Sequence, residues 1–71
     1  MKYKVGQALR HSYMTEHIIE IVDIDTELIR YQVKDLRDHN DIRWVAEGGL
    51  SSYRSDKELT RKIKLEKLLN Q

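Results

Sequence analysis

Residues 42–59 read IRWVAEGGLSSYRSDKEL, and the spacing of the apolar residues changes within this stretch. Up to about Leu50, apolar residues alternate with polar ones, a pattern typical of half-buried strands. From Ser55 onward, the spacing becomes that of a helix and the charge becomes mainly positive. The chain therefore predicts one domain that is mainly β in the α+β class: a β module over residues 1–54 and a C-terminal helix over residues 55–71.

The chain is short and contains no cysteine. Seventy-one residues form one domain, and a domain of this size buries only ~60% of its unfolded surface, so association would add useful stability. Without cysteine there is neither a disulfide framework nor a thiolate zinc site, which fits a reducing cytoplasm. No apolar run approaches ~18 residues, and the N-terminus lacks the apolar core of a signal peptide, so we expect a cytoplasmic protein without membrane contacts.

Four segments have the composition of β-strands. The clearest alternation places Ile29, Tyr31 and Val33 on one face of the third strand. Gly6 interrupts the first strand, where it predicts a bulge or a close approach of backbone. The sequence predicts strands at residues 3–9, 16–23, 29–34 and 42–46, then a 3₁₀ turn or a short last strand at residues 50–53.

The helix has a predicted start and two distinct sides. Ser55 and Glu58 stand in the spacing of a capping box, with Ser55 as the N-cap. The apolar positions form a broad face expected to dock on the sheet, and the opposite side is basic without any acid. The apolar residues are Leu59, Ile63, Leu65, Leu68 and Leu69; the basic ones are Lys57, Arg61, Lys64 and Lys67.

Residues 3–53 resemble the pattern of small SH3-like β-barrels. Members of that family often have a Val-Gly strand, an Ile-Val-Glu-Ile strand, a Tyr-x-Val strand and a Trp-Val/Ser-Glu segment before a buried Leu. The corresponding segments here are KVGQALR (4–10), IIEI (18–21), IRYQVK (29–34) and IRWVAE (42–47) with Leu50. Thr15-Glu16-His17 stands where the family often has a glycine. The resemblance implies a strongly bent antiparallel barrel of four or five strands.

The alternation and the helical spacing together predict the core. Trp44 shares a face with Ile42 and Ala46, so we interpret it as a core residue rather than a ligand platform. We expect Tyr53 to pack the helix onto the barrel, the alternative being that it stacks on a ligand. The expected core is Val5, Leu9, Ile19, Ile21, Ile29, Tyr31, Val33, Ile42, Trp44, Leu50, Leu59 and Ile63.

The chain lacks the residue patterns of known catalytic and metal sites. Ser12 follows His11, but neighbouring strand residues point to opposite faces, and no nucleophile elbow surrounds them. The three histidines lie in separate segments without metal-ligand spacing, and Gly48-Gly49 is not a phosphate loop. We therefore expect no catalytic residues, no cofactor, no metal and no enzymatic activity.

One binding hypothesis is a protein contact. Leu65, Leu68 and Leu69 extend beyond what a small barrel can cover, so they would bind an unknown protein or a second copy of the chain. The acidic segment 16–27 would offer a partner a negative patch. This hypothesis describes a protein–protein adaptor or inhibitor, and the size and compactness fit a phage or mobile-element origin. We rank it slightly ahead of the alternative.

The alternative is nucleic-acid binding through the basic side of the helix. Its phosphate contacts would come from Arg54, Lys57, Arg61, Lys64 and Lys67, and the additional contacts on the barrel from Arg10, Arg30, Lys34 and Arg43. The formal net charge of +1 and the isoelectric point near 8.0 count against strong binding, because most nucleic-acid-binding domains are more basic.

Overall fold

The computed structural model describes residues 2–70, which form one antiparallel sheet and one helix. The sheet has the order β4-β3-β2-β1-β5, so the first four strands form a meander and the fifth returns beside the first. This architecture confirms the predicted α+β composition. The elements are β1 (Ala8–His11), β2 (Ile18–Asp25), β3 (Arg30–Asp35), β4 (Ile42–Ala46), a 3₁₀ helix (Glu47–Leu50), β5 (Tyr53–Ser55) and α1 (Lys57–Leu69).

The first strand begins later than the sequence predicted. Residues 4–7 form a turn closed by a 3.1 Å hydrogen bond from the Gln7 N–H to the Lys4 carbonyl. Gly6 adopts a φ of 90°, which favours glycine, and its N–H donates to the Ile21 carbonyl at 2.7 Å. The close backbone approach predicted at Gly6 is therefore present, but strand pairing starts only at Ala8.

Half of the predicted core is confirmed. Leu9, Ile19, Ile21, Tyr31, Val33 and Leu50 are buried, and Tyr3 joins them. Val5 is exposed because the turn at residues 4–7 points it outward, whereas Tyr3 is anchored in the core. Leu59 and Ile63 are only half-buried, and no residue of α1 is fully buried.

The core prediction was wrong for Ile42, Trp44 and Ile29. Ile42 and Trp44 pair with Lys34 and Gln32 on the outer face of the sheet and are 49% and 38% exposed. The core side of β4 instead carries Val45, which pairs with the buried Tyr31. Alternation favoured the side with Ile42, Trp44 and Ala46 because it is the more apolar one, but packing against the other strands, which periodicity does not encode, buries the Val45 side.

The turn between β2 and β3 explains the exposure of Ile29. The second strand continues to Asp25, past its predicted end, and contains a register shift between Ile21 and Asp23. Ile29 then closes the following turn with a φ of 51°, so it does not belong to β3. Its side chain is 53% exposed.

Polar contacts hold the start of α1 on β1. The N-cap is Asp56, not Ser55 as predicted: its Oδ1 accepts a hydrogen bond from the Leu59 N–H at 3.0 Å. Oδ2 of Asp56 pairs with Arg10 at 2.9 Å, and the Thr60 hydroxyl accepts from the Ala8 N–H at 2.9 Å. The start of the helix is therefore held on the sheet by capping and part-buried hydrogen bonds, and the predicted apolar face contributes only the half-buried Leu59 and Ile63. No helix within residues 2–70 is both long and apolar enough to cross a bilayer.

Candidate anion-binding groove beside the helix

One wall of the candidate site is the N-terminal segment. The Tyr3 N–H donates to the Tyr31 hydroxyl at 3.1 Å, and the two rings meet edge to face at a centroid distance of 5.4 Å. Burial of Tyr3 leaves its neighbours Lys2 and Lys4 outside the core. The Lys2 ammonium lies 5.6 Å from the centre of the Tyr3 ring, within the range of a cation–π contact.

The opposite wall is the helix. Between the two walls lies an open groove of about 860 Å³. Its lining contains six cationic side chains and no carboxylate: Lys2, Lys4, Lys57, Arg61, Lys64 and Lys67. The surrounding surface adds Val5, Gly6, Gln7, Ser55, Thr60 and Ile63. We call this surface the basic groove.

Most of these cations are unpaired. Lys67 reaches over to Glu20 and forms an ion pair with it at 2.5 Å. Within residues 2–70, none of the other five has a carboxylate within 4.0 Å. Like charges held in one concave surface raise the local positive potential and favour an anionic ligand.

The other side of the same helix is electrostatically different. The depression there is about 340 Å³ in volume and contains Glu20 and Glu66 together with Lys34, Lys62 and Lys67. Its lysines are accompanied by carboxylates, whereas those of the basic groove are not. The helix thus separates an all-basic surface from a mixed one.

The basic groove collects four of the five residues predicted to contact nucleic acid. Lys57, Arg61, Lys64 and Lys67 line it, whereas Arg54 lines a neighbouring depression with Asp56 and Glu58. Lys2 and Lys4 were not among the predicted site residues. The signal that could have found them is the acid-free composition of residues 1–14, but only the folded chain brings this segment to the helix.

The predicted cationic contacts on the sheet are already engaged. Arg10 pairs with Asp56, Arg30 with Asp25, Lys34 with Glu20 and Arg43 with Asp41, at distances from 2.9 to 4.0 Å. None of the four lines the basic groove. Of the residues predicted to contact nucleic acid, those that line the basic groove all lie on the helix.

The leucines predicted to bind a protein lie in the last turns of the helix and are solvent-exposed. Leu65, Leu68 and Leu69 are 56%, 59% and 75% exposed. At about 100° per residue, Leu65 and Leu69 lie on the far side of the helix from Thr60, which contacts the sheet, and Leu68 lies at the flank. The sheet therefore does not cover these leucines.

Two histidines and a tyrosine meet at the end of the sheet near β5. The Tyr53 hydroxyl lies 3.2 Å from Nδ1 of His17, whose other nitrogen is 3.5 Å from Asp35. The Tyr53 ring packs edge to face on His11 and against the core, whereas Asp56 and Thr60 hold the helix. Burial raises the pKa of the Tyr53 hydroxyl, which disfavours its ionised form.

Neither metal geometry nor similarity to other proteins assigns a function. Residues 2–70 contain no group of three or more His, Asp and Glu side chains arranged to hold a metal ion. Comparison with protein-family models, with curated proteins and with solved structures found no match to this chain. The function is therefore inferred from the geometry and charge of its surfaces.

Proposed function

We propose that this protein is a non-enzymatic module that binds nucleic acid through phosphate contacts in the basic groove. The observation that carries the proposal is the set of five unpaired cations that two distant chain segments bring to one carboxylate-free groove. A polyanion gains from all of them at once and releases its condensed counterions when it binds. The modest net charge of +1 matters less, because the acidic residues lie elsewhere.

The groove is suited to contacts with the backbone and not to reading a base sequence. Four of its five unpaired cations are lysines, which act as mobile point charges without a fixed hydrogen-bonding fork. Contacts to phosphate position a protein on nucleic acid but carry no sequence information directly. We expect affinity to be nearly independent of sequence and to fall steeply with salt.

We also propose that the sheet bends into a partly open SH3-like barrel, in which the edge strands β4 and β5 approach each other without pairing. In a flat sheet with strands about 4.8 Å apart, β4 and β5 would lie ~19 Å from each other. The connection from Ala46 to Tyr53 includes a four-residue 3₁₀ helix and would reach about 19–20 Å only if every other residue were fully extended. Ser51 and Ser52 form a turn instead, so the connection is shorter and favours a bent sheet. Arg43 on β4 also opposes the rise in the pKa of Tyr53 on β5, which supports an approach of the two edges.

The binding test uses fluorescence anisotropy with labelled single- and double-stranded DNA and RNA. Replacing Arg61 and Lys64 with Glu should abolish binding at low salt, because it puts two carboxylates in the groove. The control is Lys62→Glu, which makes the same charge change as Lys64→Glu alone, on the same helix but in the mixed depression. It should retain most of the affinity.

Salt and the N-terminal lysines provide a second check. If about four phosphates are contacted, the logarithm of affinity should fall with the logarithm of salt concentration with a slope of about −3 to −4. Lys4→Glu should weaken binding to a degree similar to Lys64→Glu, because both residues line the basic groove. Absence of binding to all four nucleic acids at low salt, or equal loss in the Lys62→Glu control, would rule out this site.

A second candidate function is a protein adaptor or inhibitor that uses Leu65, Leu68 and Leu69. The exposure of all three side chains in adjacent turns of one helix favours it, because contiguous exposed apolar surface often marks a binding site. Such a partner would take the helix into an apolar groove. A pull-down from nuclease-treated lysate, compared with the Leu65→Ser/Leu68→Ser variant, would identify a partner that depends on these leucines.

A further inference from the structure

Strand β4 forms an open edge of the sheet. The Asp35 N–H donates to the Asp41 carbonyl at 3.0 Å, so this pair is a hydrogen-bonded one in the β3–β4 ladder. Hydrogen-bonded and non-bonded pairs alternate along antiparallel strands. Arg43 and Val45 therefore bond to β3, whereas the backbone groups of Ile42, Trp44 and Ala46 point away from the sheet.

This edge has few of the features that protect sheet edges from pairing. It contains no proline, its ladder with β3 has no register shift, and its single charged residue is Arg43. Ile42 and Trp44 are large, apolar and exposed, and the Arg43 side chain is 55% exposed. Arg30 lies over the Trp44 ring at 4.7 Å and supports its outward position.

We propose that a second copy of this chain pairs with β4 in antiparallel orientation, with Val45 opposite Val45 of the second copy. This inference is independent of the basic groove, which lies beside the helix and residues 2–7 and has no lining residue from β4. Two five-stranded sheets would join into one continuous sheet across a two-fold axis. The basic groove would then occur once on each copy.

Charge selects this register over its neighbours. If the two-fold axis passed through Arg43, the two arginines would lie opposite each other. If it passed through Trp44, Asp41 would lie opposite Glu47 of the second copy. An axis through Val45 places Arg43 opposite Glu47 of the second copy, and its two-fold symmetry forms this favourable pair twice. Asp41 then lies beyond the paired part of the second copy, whose chain turns into the 3₁₀ helix at Glu47, so no carboxylates oppose each other.

In the same register, the free backbone groups of β4 form hydrogen bonds and the opposing side chains fit in size and charge. Trp44 lies opposite Ala46 of the second copy, a large residue beside a small one. The backbone N–H and C=O groups of Trp44 and Ala46 point away from β3 and toward the second copy. The two Trp44–Ala46 pairs related by the two-fold axis therefore form four backbone hydrogen bonds. Arg43 and Glu47 fall at non-hydrogen-bonded positions, where opposing side chains come closest. Within one copy both side chains make only long contacts. Arg43 lies 4.0 Å from Asp41, and Glu47 accepts a hydrogen bond from the Tyr31 hydroxyl at 3.4 Å.

The charge pattern leads to a mixing experiment by sedimentation velocity and native mass spectrometry. The wild type should form dimers as its concentration rises from about 10 μM to about 1 mM. Arg43→Glu and Glu47→Arg should each be monomeric, because each creates like-charge pairs across the axis. An equimolar mixture of the two variants should form a heterodimer, since both cross-strand pairs are then of opposite charge. Leu68→Ser should dimerise like the wild type.

The single tryptophan provides a test that needs no substitution. Dimer formation should shift its emission to the blue with increasing concentration, because Trp44 becomes less exposed. In amide exchange, the Trp44 and Ala46 N–H groups should gain protection with concentration. The Arg43 and Val45 N–H groups should be protected at every concentration, because they already bond to β3.

Several outcomes would overturn the proposal. A wild type that stays monomeric, with unchanged tryptophan emission up to the highest concentration, contradicts it. So does an assembly larger than a dimer, which would indicate head-to-tail pairing of different edges. Loss of dimers in Leu68→Ser together with their retention in Arg43→Glu would assign the interface to the helix instead.

Discussion

Lys67, in the last turn of the helix, donates a 2.5 Å hydrogen bond to Glu20 in the middle of β2. Glu20 is only 2% exposed, and its second partner, Lys34, lies 3.8 Å away. A buried carboxylate needs such partners because its desolvation is costly. This contact therefore fixes the C-terminal half of α1 on the sheet, much as Asp56 fixes its start.

Lys67→Met should lower the free energy of unfolding by about 1.5–3 kcal/mol, because it removes a charged hydrogen-bond partner from a buried carboxylate. Lys64→Met is the matched control: it removes an unpaired lysine from the same helix and should change stability by less than about 0.5 kcal/mol. Urea denaturation measures both. Adding Glu20→Gln should reduce the loss caused by Lys67→Met, and equal stability of the two lysine variants would contradict the role of this contact.

The stabilising effect of Asp56 should depend on pH. Its pKa lies below the usual value, chiefly because its carboxylate accepts the Leu59 N–H and also pairs with Arg10. A carboxyl with a lowered folded-state pKa stabilises the fold above its unfolded pKa of about 4 and loses that effect as the pH falls through the folded value. Asp56→Asn should therefore be less stable than the wild type at pH 7, with the gap closing on acidification.

The measurement for Asp56 is the urea midpoint at a series of pH values from 7 to about 2.5. Glu58→Gln, in the same first turn, is the control and should leave the pH dependence nearly unchanged. A gap between Asp56→Asn and the wild type that stays constant at every pH would show that the charge of Asp56 does not stabilise the fold.

Ile29→Gly should stabilise the protein by up to about 1 kcal/mol. The φ of 51° at Ile29 is unfavourable for a β-branched residue and acceptable for glycine. The exposed side chain contributes little burial that could be lost. Leu28→Gly, at the neighbouring exposed position with an ordinary φ, should instead destabilise by about 0.5–1 kcal/mol. Thermal denaturation of the two variants should show midpoint shifts of opposite sign.

Leu65→Ser/Leu68→Ser should remain folded, with a change in stability below about 1 kcal/mol, because both side chains are more than half exposed. Ile63→Ala should cost about 1–2 kcal/mol, less than the loss at a fully buried site, because Ile63 is half-buried. Chemical denaturation gives both values. A large loss in the serine variant would mean that the leucines stabilise the fold itself and are not available to a partner.

The sequence alone predicted the order of elements and much of the central core. Alternation in residues 29–34 identified β3 and the burial of Tyr31 and Val33, and the β-branched run in β2 identified Ile19 and Ile21. The prediction for β3 succeeded because a strand with only one apolar face has one way to meet the core. In β2 both faces carry apolar residues, which is typical of a strand in the middle of a sheet. The helical spacing also placed Lys57, Arg61, Lys64 and Lys67 on one side of α1, and all four line the basic groove.

Only the tertiary structure decided which face of β4 is buried, which residue caps α1 and which segment completes the basic groove. For two of these choices the local pattern pointed to the wrong residue: alternation favoured Ile42 and Trp44 over Val45, and the capping-box spacing favoured Ser55 over Asp56. Contacts distant in sequence resolved them: Tyr31 selects Val45 for the core, Arg10 selects Asp56 as the cap, and Tyr31 anchors Tyr3 so that Lys2 and Lys4 reach the helix. Periodicity is a local property, whereas these choices depend on packing between segments that are 14 to 46 residues apart in the chain.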